Sequence, residues 1–270
     1  MDILFNETMH ISAEKSIEFL RAYSSFNHEQ TLPKIKFIFE NPESNNLILL
    51  RKAIGIEKQN NAESEVQLIL RLLKWAIEHF DFPGSTLIDR RYDDTDWFEV
   101  IERAKREKFS LNCRYKSLLF TQILLAYGIK ARWVSCLPVE SITHERHCVT
   151  EVYVNRLNKW IVVDCAFNLI YFDSDGTMLS LIEMRERLIN GNRIRFFIKE
   201  QKYAKYVYDC WMSHIFRFKY AVYNGYNMLS STKRIYAYLN PDSSNCDKNK
   251  IIDAVGCEEG EQFYDERCFY

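Results

Sequence analysis

Residues 112–128 are the most constraining stretch of the sequence, because they are apolar on nearly every side of a helix. A helix without a polar face is a buried helix, since its apolar surface has to be removed from water. Gly128 suits the end of this helix, because glycine readily adopts the left-handed conformation found at C-caps. We therefore expect a central helix inside the fold. Its apolar residues are Leu118, Leu119, Phe120, Ile123, Leu124, Leu125 and Ala126.

Amphipathic helices are predicted before the central helix. Residues 62–80 place apolar side chains at steps of three and four, which predicts a helix with one buried face. A Pro-Gly pair follows and breaks the chain, and a further helix is predicted from about 95 to 106. Nearer the N-terminus, residues 12–23 have a helical pattern and residues 36–39 indicate a short strand.

Strands are predicted after the central helix, at residues 131–137, 147–154 and 159–164. The short connection at 155–158 predicts a hairpin between the last two strands. The sequence Asp-Ser-Asp-Gly at 173–176 predicts a tight turn. Because helices and strands are segregated along the chain, we expect an α+β fold in which the buried helix packs on an antiparallel sheet.

A length of 270 residues favours one core domain with additions at both ends. We predict an N-terminal elaboration (1–60), a core (61–190) and a C-terminal elaboration with an acidic tail (191–270). The polar stretch 57–61 marks the first boundary, and a helix predicted at 180–188 closes the core.

The composition is that of a globular protein, with 47% hydrophobic and 27% charged residues. A net charge of −1 provides no large phosphate-neutralising surface, so we expect no nucleic-acid partner. The N-terminus lacks the features of a signal peptide, and no run approaches the roughly 18 apolar residues of a membrane span. We therefore expect a cytoplasmic protein without a membrane contact.

The sequence has eight cysteines, an even number that would allow all of them to pair in disulfides. Because the sequence shows no leader, a reducing compartment is the better expectation, with most thiols free. No Cys-x-x-Cys pair and no Cys/His cluster has zinc-ligand spacing, so we predict no metal site. Cys136, Cys148 and Cys165 lie within or against predicted strands and are interpreted as core residues.

Cys113 differs from these cysteines because it lies at the start of the central helix. A helix N-terminus favours the thiolate, and a nearby imidazolium favours it further. Ser110 or Asn112 could cap this helix, and the free N–H groups of its first turn could stabilise an oxyanion. Asn112 is equally a candidate for a second oxyanion donor. Trp75 is another candidate, although its spacing suits a core position better.

His147 and Asp164 are candidates for the groups that would serve such a thiolate. His147 opens one predicted strand and Asp164 ends the next, so a hairpin would bring the two together near its open end. Cysteine catalysis needs a proton acceptor beside the thiol and a group that orients the acceptor. His144 remains a rival for the acceptor.

These features together resemble the transglutaminase-like superfamily, whose core is related to papain. The resemblance covers residues about 62–165. It is carried by Cys113 at the head of a buried helix, by His147 before a strand, and by two motifs. The motifs are Gly128-Ile129-Lys130-Ala131-Arg132-Trp133-Val134 and Lys159-Trp160-Ile161-Val162-Val163-Asp164. The sequence departs from the family where Leu111-Asn112 precedes the cysteine, and where Cys148 and Cys165 follow the histidine and aspartate.

The resemblance implies a cysteine hydrolase or acyltransferase with Cys113, His147 and Asp164 as its catalytic triad. Such an enzyme would act on an amide, in a peptide or a glutamine side chain, so the expected partner is a protein or peptide substrate. It would need no cofactor. Two alternatives remain: a catalytically silent transglutaminase-like domain that acts as a binding or scaffold module, and an unrelated α+β protein.

Overall fold

The computed structural model describes residues 13–22, 36–57, 63–80, 86–87, 97–107, 109–138, 146–197, 202–226, 228, 236–239 and 262–264. All but the first residue of the predicted loop at 57–61, His144 and most of the acidic tail lie outside these ranges.

The helices occur where the apolar periodicity predicts them, with one addition near residue 50 and one after residue 200. The added helix near residue 50 has a left-handed C-cap at Gly55, and the helix predicted at 180–188 begins with a capping box between Ser180 and Glu183. The helices are α1 (Ala13–Ala22), α2 (Asn45–Ile54), α3 (Glu65–Phe80), α4 (Trp97–Glu107), α5 (Cys113–Ala126), α6 (Leu181–Ile189) and α7 (Lys202–His214).

The three strands predicted after the central helix have the predicted bounds. Further strands are contributed by both ends of the chain. The strands are β1 (Ile38–Phe39), β2 (Thr86–Leu87), β3 (Phe109–Ser110), β4 (Ala131–Leu137), β5 (His147–Val154), β6 (Lys159–Asp164), β7 (Leu169–Ile170), β8 (Arg217–Ala221), β9 (Tyr223–Asn224), β10 (Tyr236–Leu239) and β11 (Gln262–Tyr264).

Helix α5 is the central buried helix, as predicted. Every residue from Tyr115 to Ala126 is buried. At its start the Asn112 side chain accepts a hydrogen bond from the backbone N–H of Tyr115, which satisfies one of the N–H groups that have no partner inside the helix. At its end Gly128 has a φ of 76°, the left-handed conformation that glycine adopts without a steric penalty.

One large sheet forms the centre of the fold, in the order β11-β10-β8-β4-β5-β6-β7. Its neighbouring strands are antiparallel except for β10 and β11, which are parallel. The predicted α+β class is therefore confirmed. Strands β8 and β10 extend the sheet beyond β4, so residues after 190 complete the sheet that residues 131–164 begin.

The sheet separates two hydrophobic cores. Helices α2, α3 and α5 pack on one face, and α1, α6 and α7 contribute to the core on the other. Side chains of β5 alternate between them: Cys148 and Val152 face α5, whereas Val149 lies in the opposite core. This alternation decides which face each residue of the site can reach.

The register of β4 and β5 is fixed by an ion pair between Arg132 and Glu151, which lie opposite each other. Both side chains are fully buried, and Nη2 of Arg132 lies 2.6 Å from Oε2 of Glu151. Because breaking such a pair leaves an uncompensated buried charge, a shifted register would be costly. The observed register places His147 opposite Cys136.

None of the helices in the described ranges combines the length and apolar character needed to cross a membrane.

Candidate active site

Cys113 is the first residue of α5 and lies directly after the capping Asn112. Its thiol is half-buried at the positive end of the helix. The sulfur reaches the start of β5, where Cys113 Sγ lies 3.6 Å from the carbonyl oxygen of Arg146. The central helix therefore aims this thiol at the strand end that carries His147.

His147 begins β5 and contacts both Cys113 and Asp164. Its Nε2 lies 2.7 Å from Oδ2 of Asp164, and its ring also has a side-chain hydrogen bond with Cys113. The antiparallel pairing of β5 with β6 explains the contact, because it brings the start of β5 beside the end of β6. The ring stacks on Phe167 at a centroid distance of 5.0 Å and meets the edge of Trp211 at 5.4 Å. These contacts leave the imidazole little freedom to rotate.

Asp164 is fully buried, and its carboxylate accepts four hydrogen bonds. Oδ1 accepts from the backbone N–H groups of Ala166 and Phe167, at 3.0 and 3.1 Å. Oδ2 accepts from the hydroxyl of Tyr171 at 3.0 Å, in addition to the bond with His147. These donors compensate for the burial of the charge, which an unpaired carboxylate could not sustain.

A chain of buried groups continues behind Asp164. The indole N–H of Trp211 donates to the Tyr171 hydroxyl at 2.7 Å. Burial and the charge of Asp164 raise the pKa of Tyr171 well above its usual value. The hydroxyl therefore stays protonated and donates a hydrogen bond to the carboxylate. The position of Asp164 is therefore set from α7 and from the segment that follows β6.

Cys113 and His147 each shift the pKa of the other. A hydrogen bond from the Cys148 thiol lowers the pKa of Cys113, burial raises it, and the hydrogen bond and positive charge of His147 lower it further; the result lies well below a thiol's ordinary value. Burial alone would lower the pKa of His147, but the charge of Asp164 raises it well above its ordinary value. Both shifts favour a thiolate–imidazolium pair at neutral pH.

The remaining sequence candidates have other roles or lie outside the described residues. Asn112 is the helix cap. Trp75 is partly buried against the main core and stacks on His79 at a centroid distance of 4.1 Å, as expected of a core residue. His144 lies outside the described residues, so the preference for His147 rests on the contacts that His147 makes.

The family model of the transglutaminase-like superfamily matches residues 52–165. This segment is similar to the core of that superfamily. It extends from the end of α2 to the residue after β6 and contains Cys113, His147 and Asp164. The predicted resemblance is thereby confirmed for this part of the chain.

One solved structure is similar to the chain at low identity. It is a crystal structure from Cytophaga hutchinsonii, described provisionally as a cysteine protease. The match has 17% sequence identity and a TM-score of 0.34, and covers 66% of this chain. It spans 56% of that chain, which is less than two thirds of its length. No curated protein is similar enough to the sequence to count as a match.

Several partners of the site lie outside the transglutaminase-like core and were not predicted from the sequence. Three aromatic residues contact His147 or Asp164, namely Phe167, Tyr171 and Trp211. Nothing in their local sequence distinguishes them from ordinary core aromatics. Cys210 on α7 has side-chain hydrogen bonds with His147 and His214. Burial alone would raise its pKa, but the charge of His147 and these bonds lower the pKa of Cys210 to about 7.

Proposed function

We propose that this chain is a cysteine enzyme that takes an acyl group from an amide and transfers it to water or to an amine. Cys113 is the nucleophile, His147 the acid–base group, and Asp164 the group that orients His147. The observation that carries the proposal is the contact of the Cys113 thiol with an imidazole whose Nε2 is held 2.7 Å from a buried carboxylate. A thiol, a base and an orienting acid in contact are what cysteine catalysis requires.

In the acylation step, the Cys113 thiolate attacks the carbonyl carbon of the amide and forms a tetrahedral oxyanion. The backbone N–H of Cys113 lies at the N-terminus of α5 and can donate to this oxyanion. When the intermediate collapses, the imidazolium of His147 gives its proton to the leaving amine. The products are a thioester on Cys113, a free amine and a neutral imidazole.

In the deacylation step, the neutral His147 takes a proton from water or from an incoming amine, which attacks the thioester. The acyl group leaves as an acid or as a new amide, and Cys113 returns as a thiolate beside an imidazolium. Asp164 stabilises the charged imidazole in both steps, because it holds the Nε2 proton and leaves the other ring nitrogen for Cys113.

The transglutaminase-like core favours a protein or peptide substrate, in which the reacting amide is a peptide bond or a glutamine side chain. None of these steps calls for a cofactor. A binding or scaffold module with the same fold is the competing function, and it predicts that no covalent acyl intermediate forms.

The direct test of the proposal is to trap the thioester. The purified chain is mixed with an activated aryl ester and quenched in acid, and the acyl adduct is then located by peptide mass spectrometry. We expect one adduct on Cys113 and none on the Cys113→Ala variant. The His147→Ala variant should form the adduct far more slowly. An adduct spread evenly over the thiols, or one that forms equally fast without His147, would support the binding module.

The acyl acceptor is identified in a second step with the same protein. A primary alkylamine with a fluorescent label is added together with a glutamine-containing protein substrate. Labelled protein that depends on Cys113 indicates acyl transfer, whereas cleavage or deamidation without label indicates hydrolysis. If neither occurs although the thioester forms, the physiological amide lies outside these substrates.

A further inference from the structure

A small group of buried polar side chains lies in the mostly apolar interface between the central helix and the sheet. Trp133 on β4 and Thr150 on β5 lie directly opposite each other. The indole N–H of Trp133 donates to the hydroxyl of Ser117 at 2.9 Å, and the hydroxyl of Thr150 donates to the backbone carbonyl oxygen of Ser117 at 3.0 Å. One residue of α5 is therefore bound from two neighbouring strands. We call these three residues the Ser117 network.

The Ser117 network lies close in sequence to both the nucleophile and the base. Ser117 follows Cys113 by one turn of α5, and Thr150 comes shortly after His147 in β5. The hydroxyl of Ser117 also donates to the carbonyl oxygen of Arg114 at 3.0 Å, so the network reaches the first turn of the helix. It therefore joins the segment that carries the thiol to the segment that carries the imidazole.

Burial makes the Ser117 network both strong and directional. Ser117 and Thr150 are fully buried and Trp133 is 4% exposed, so their hydrogen bonds do not compete with water. Apolar packing has no preferred direction, and on its own it would allow the helix to shift slightly on the sheet. Hydrogen bonds depend on angle as well as distance. The two bonds to Ser117 therefore define one position of α5 relative to β4 and β5.

A second contact joins the same helix and strand, but it depends on the protonation of the nucleophile. It runs from Sγ of Cys113 to the carbonyl oxygen of Arg146, 3.6 Å away. A thiol is a weak donor, and a thiolate has no proton to donate. This hydrogen bond is therefore absent from the reactive form of Cys113, whereas the bond from Thr150 to Ser117 does not depend on that proton.

We propose that Thr150 is a positioning residue of the active site. Its hydrogen bond to the central helix keeps His147 in contact with the thiolate of Cys113. This role rests on the proposed function and deepens it, because it names a residue that assembles the same site. In this role Thr150 does not touch the reacting atoms and acts through the placement of β5 on α5. The competing explanation is that the bond only satisfies two buried polar groups.

The chemistry of the site is sensitive to this placement because it depends on short contacts. The positive charge of His147 favours the thiolate of Cys113, and this effect weakens as the two side chains move apart. Loss of the Thr150 hydroxyl should therefore raise the pH at which Cys113 becomes reactive. It should also slow acylation, since a misplacement of about 1 Å can lower a rate roughly a hundredfold.

The test variant is Thr150→Val, because valine keeps the branched shape of threonine and lacks its hydroxyl. The matched control is Thr121→Val. The hydroxyl of Thr121 is also fully buried, and it donates to the same carbonyl oxygen of Ser117 at 2.8 Å. The hydroxyls of Thr121 and Thr150 lie 3.2 Å apart, so both variants alter the same part of the core. The bond of Thr121 to Ser117 stays within the helix, whereas that of Thr150 crosses from the sheet to the helix.

Two properties of the full chain are measured: the pH midpoint of iodoacetamide labelling at Cys113, and the rate of thioester formation with the activated aryl ester. In Thr150→Val we expect the midpoint to rise toward the ordinary thiol value and the rate to fall roughly tenfold or more. Thr150→Ser keeps the hydroxyl and should restore both properties. Thr121→Val should keep the midpoint of the parent. Urea unfolding of each variant shows that the labelled protein is folded.

An unchanged midpoint in Thr150→Val, or an equal rise in Thr121→Val, would overturn the inference and show that the Ser117 network only stabilises the fold. A serine variant that behaves like the valine variant would overturn it as well. If the parent forms no thioester, the proposed function fails. Labelling by iodoacetamide requires no acyl transfer, so the midpoint still decides the role of Thr150 in that case.

Discussion

The Tyr171→Phe substitution tests the support behind Asp164, because it removes one oxygen and leaves the size of the ring unchanged. That oxygen donates to Asp164 at 3.0 Å and accepts from Trp211 at 2.7 Å, and all three side chains are buried. The variant therefore deprives a buried carboxylate of one donor and leaves a buried indole N–H without its acceptor.

The expected cost follows from these two losses. A hydrogen bond to a charged group contributes about 1.5–3 kcal/mol, and a buried donor left unpaired costs about 1–3 kcal/mol. The two effects share one oxygen and overlap, so we expect the free energy of unfolding to fall by about 2–4 kcal/mol. For a chain of this size the melting temperature should drop by roughly 5–15 °C.

The assay is urea unfolding followed by far-UV circular dichroism, which does not depend on the fluorescence of Trp211. The matched control is Tyr153→Phe, which removes a hydroxyl whose hydrogen bond to Asn158 is exposed to solvent. This control should change stability by less than about 0.5 kcal/mol. If both variants unfold at the same urea concentration as the parent, the hydrogen bonds from Trp211 through Tyr171 to Asp164 do not stabilise the protein, contrary to our expectation.

Three further substitutions test separate parts of the structure. Asp164→Asn removes the charge that raises the pKa of His147. The pH midpoint of Cys113 labelling should then rise, and labelling at pH 6 should fall roughly tenfold for each pH unit of that rise. Unchanged labelling would mean that the carboxylate does not control the charges of Cys113 and His147. Asn112→Ala should destabilise the chain by about 0.5–2 kcal/mol through loss of the helix cap, whereas Asn112→Ser should recover most of this in urea titrations. Phe120→Ala opens a cavity in the core around the central helix and should cost about 3–5 kcal/mol in the same assay, and a loss below 1 kcal/mol would argue against a packed centre.

The central helix and the strands after it could be predicted from local patterns. Helix α5 is apolar on nearly every side and ends next to a glycine, which marks its extent. The change to strand patterns after it and the short turn after β5 gave the bounds of β4, β5 and β6. Cys113, His147 and Asp164 occupy element ends, where a helix start or a strand end can bring a polar group to the edge of the core. Their agreement with a family pattern identified them as a set.

The rest of the site depends on contacts between distant parts of the chain. Trp211 on α7 reaches Tyr171 across 40 positions in sequence, and each of the two residues alone looks like a core aromatic. Cys148 was interpreted as a core residue, and it is buried. Its contact with Cys113 follows only from the packing of β5 on α5, which no local pattern encodes.

The most direct test of the proposed chemistry is the pH dependence of Cys113 alkylation. Iodoacetamide is applied briefly at a series of pH values, and the labelling of each cysteine is read from its own peptide. We expect the labelling of Cys113 to have its midpoint well below the ordinary thiol value of about 8.5, and to lose this low-pH reactivity in His147→Ala. A midpoint near the ordinary value in the parent chain, unaffected by loss of His147, would contradict the thiolate–imidazolium pair on which the proposed function depends.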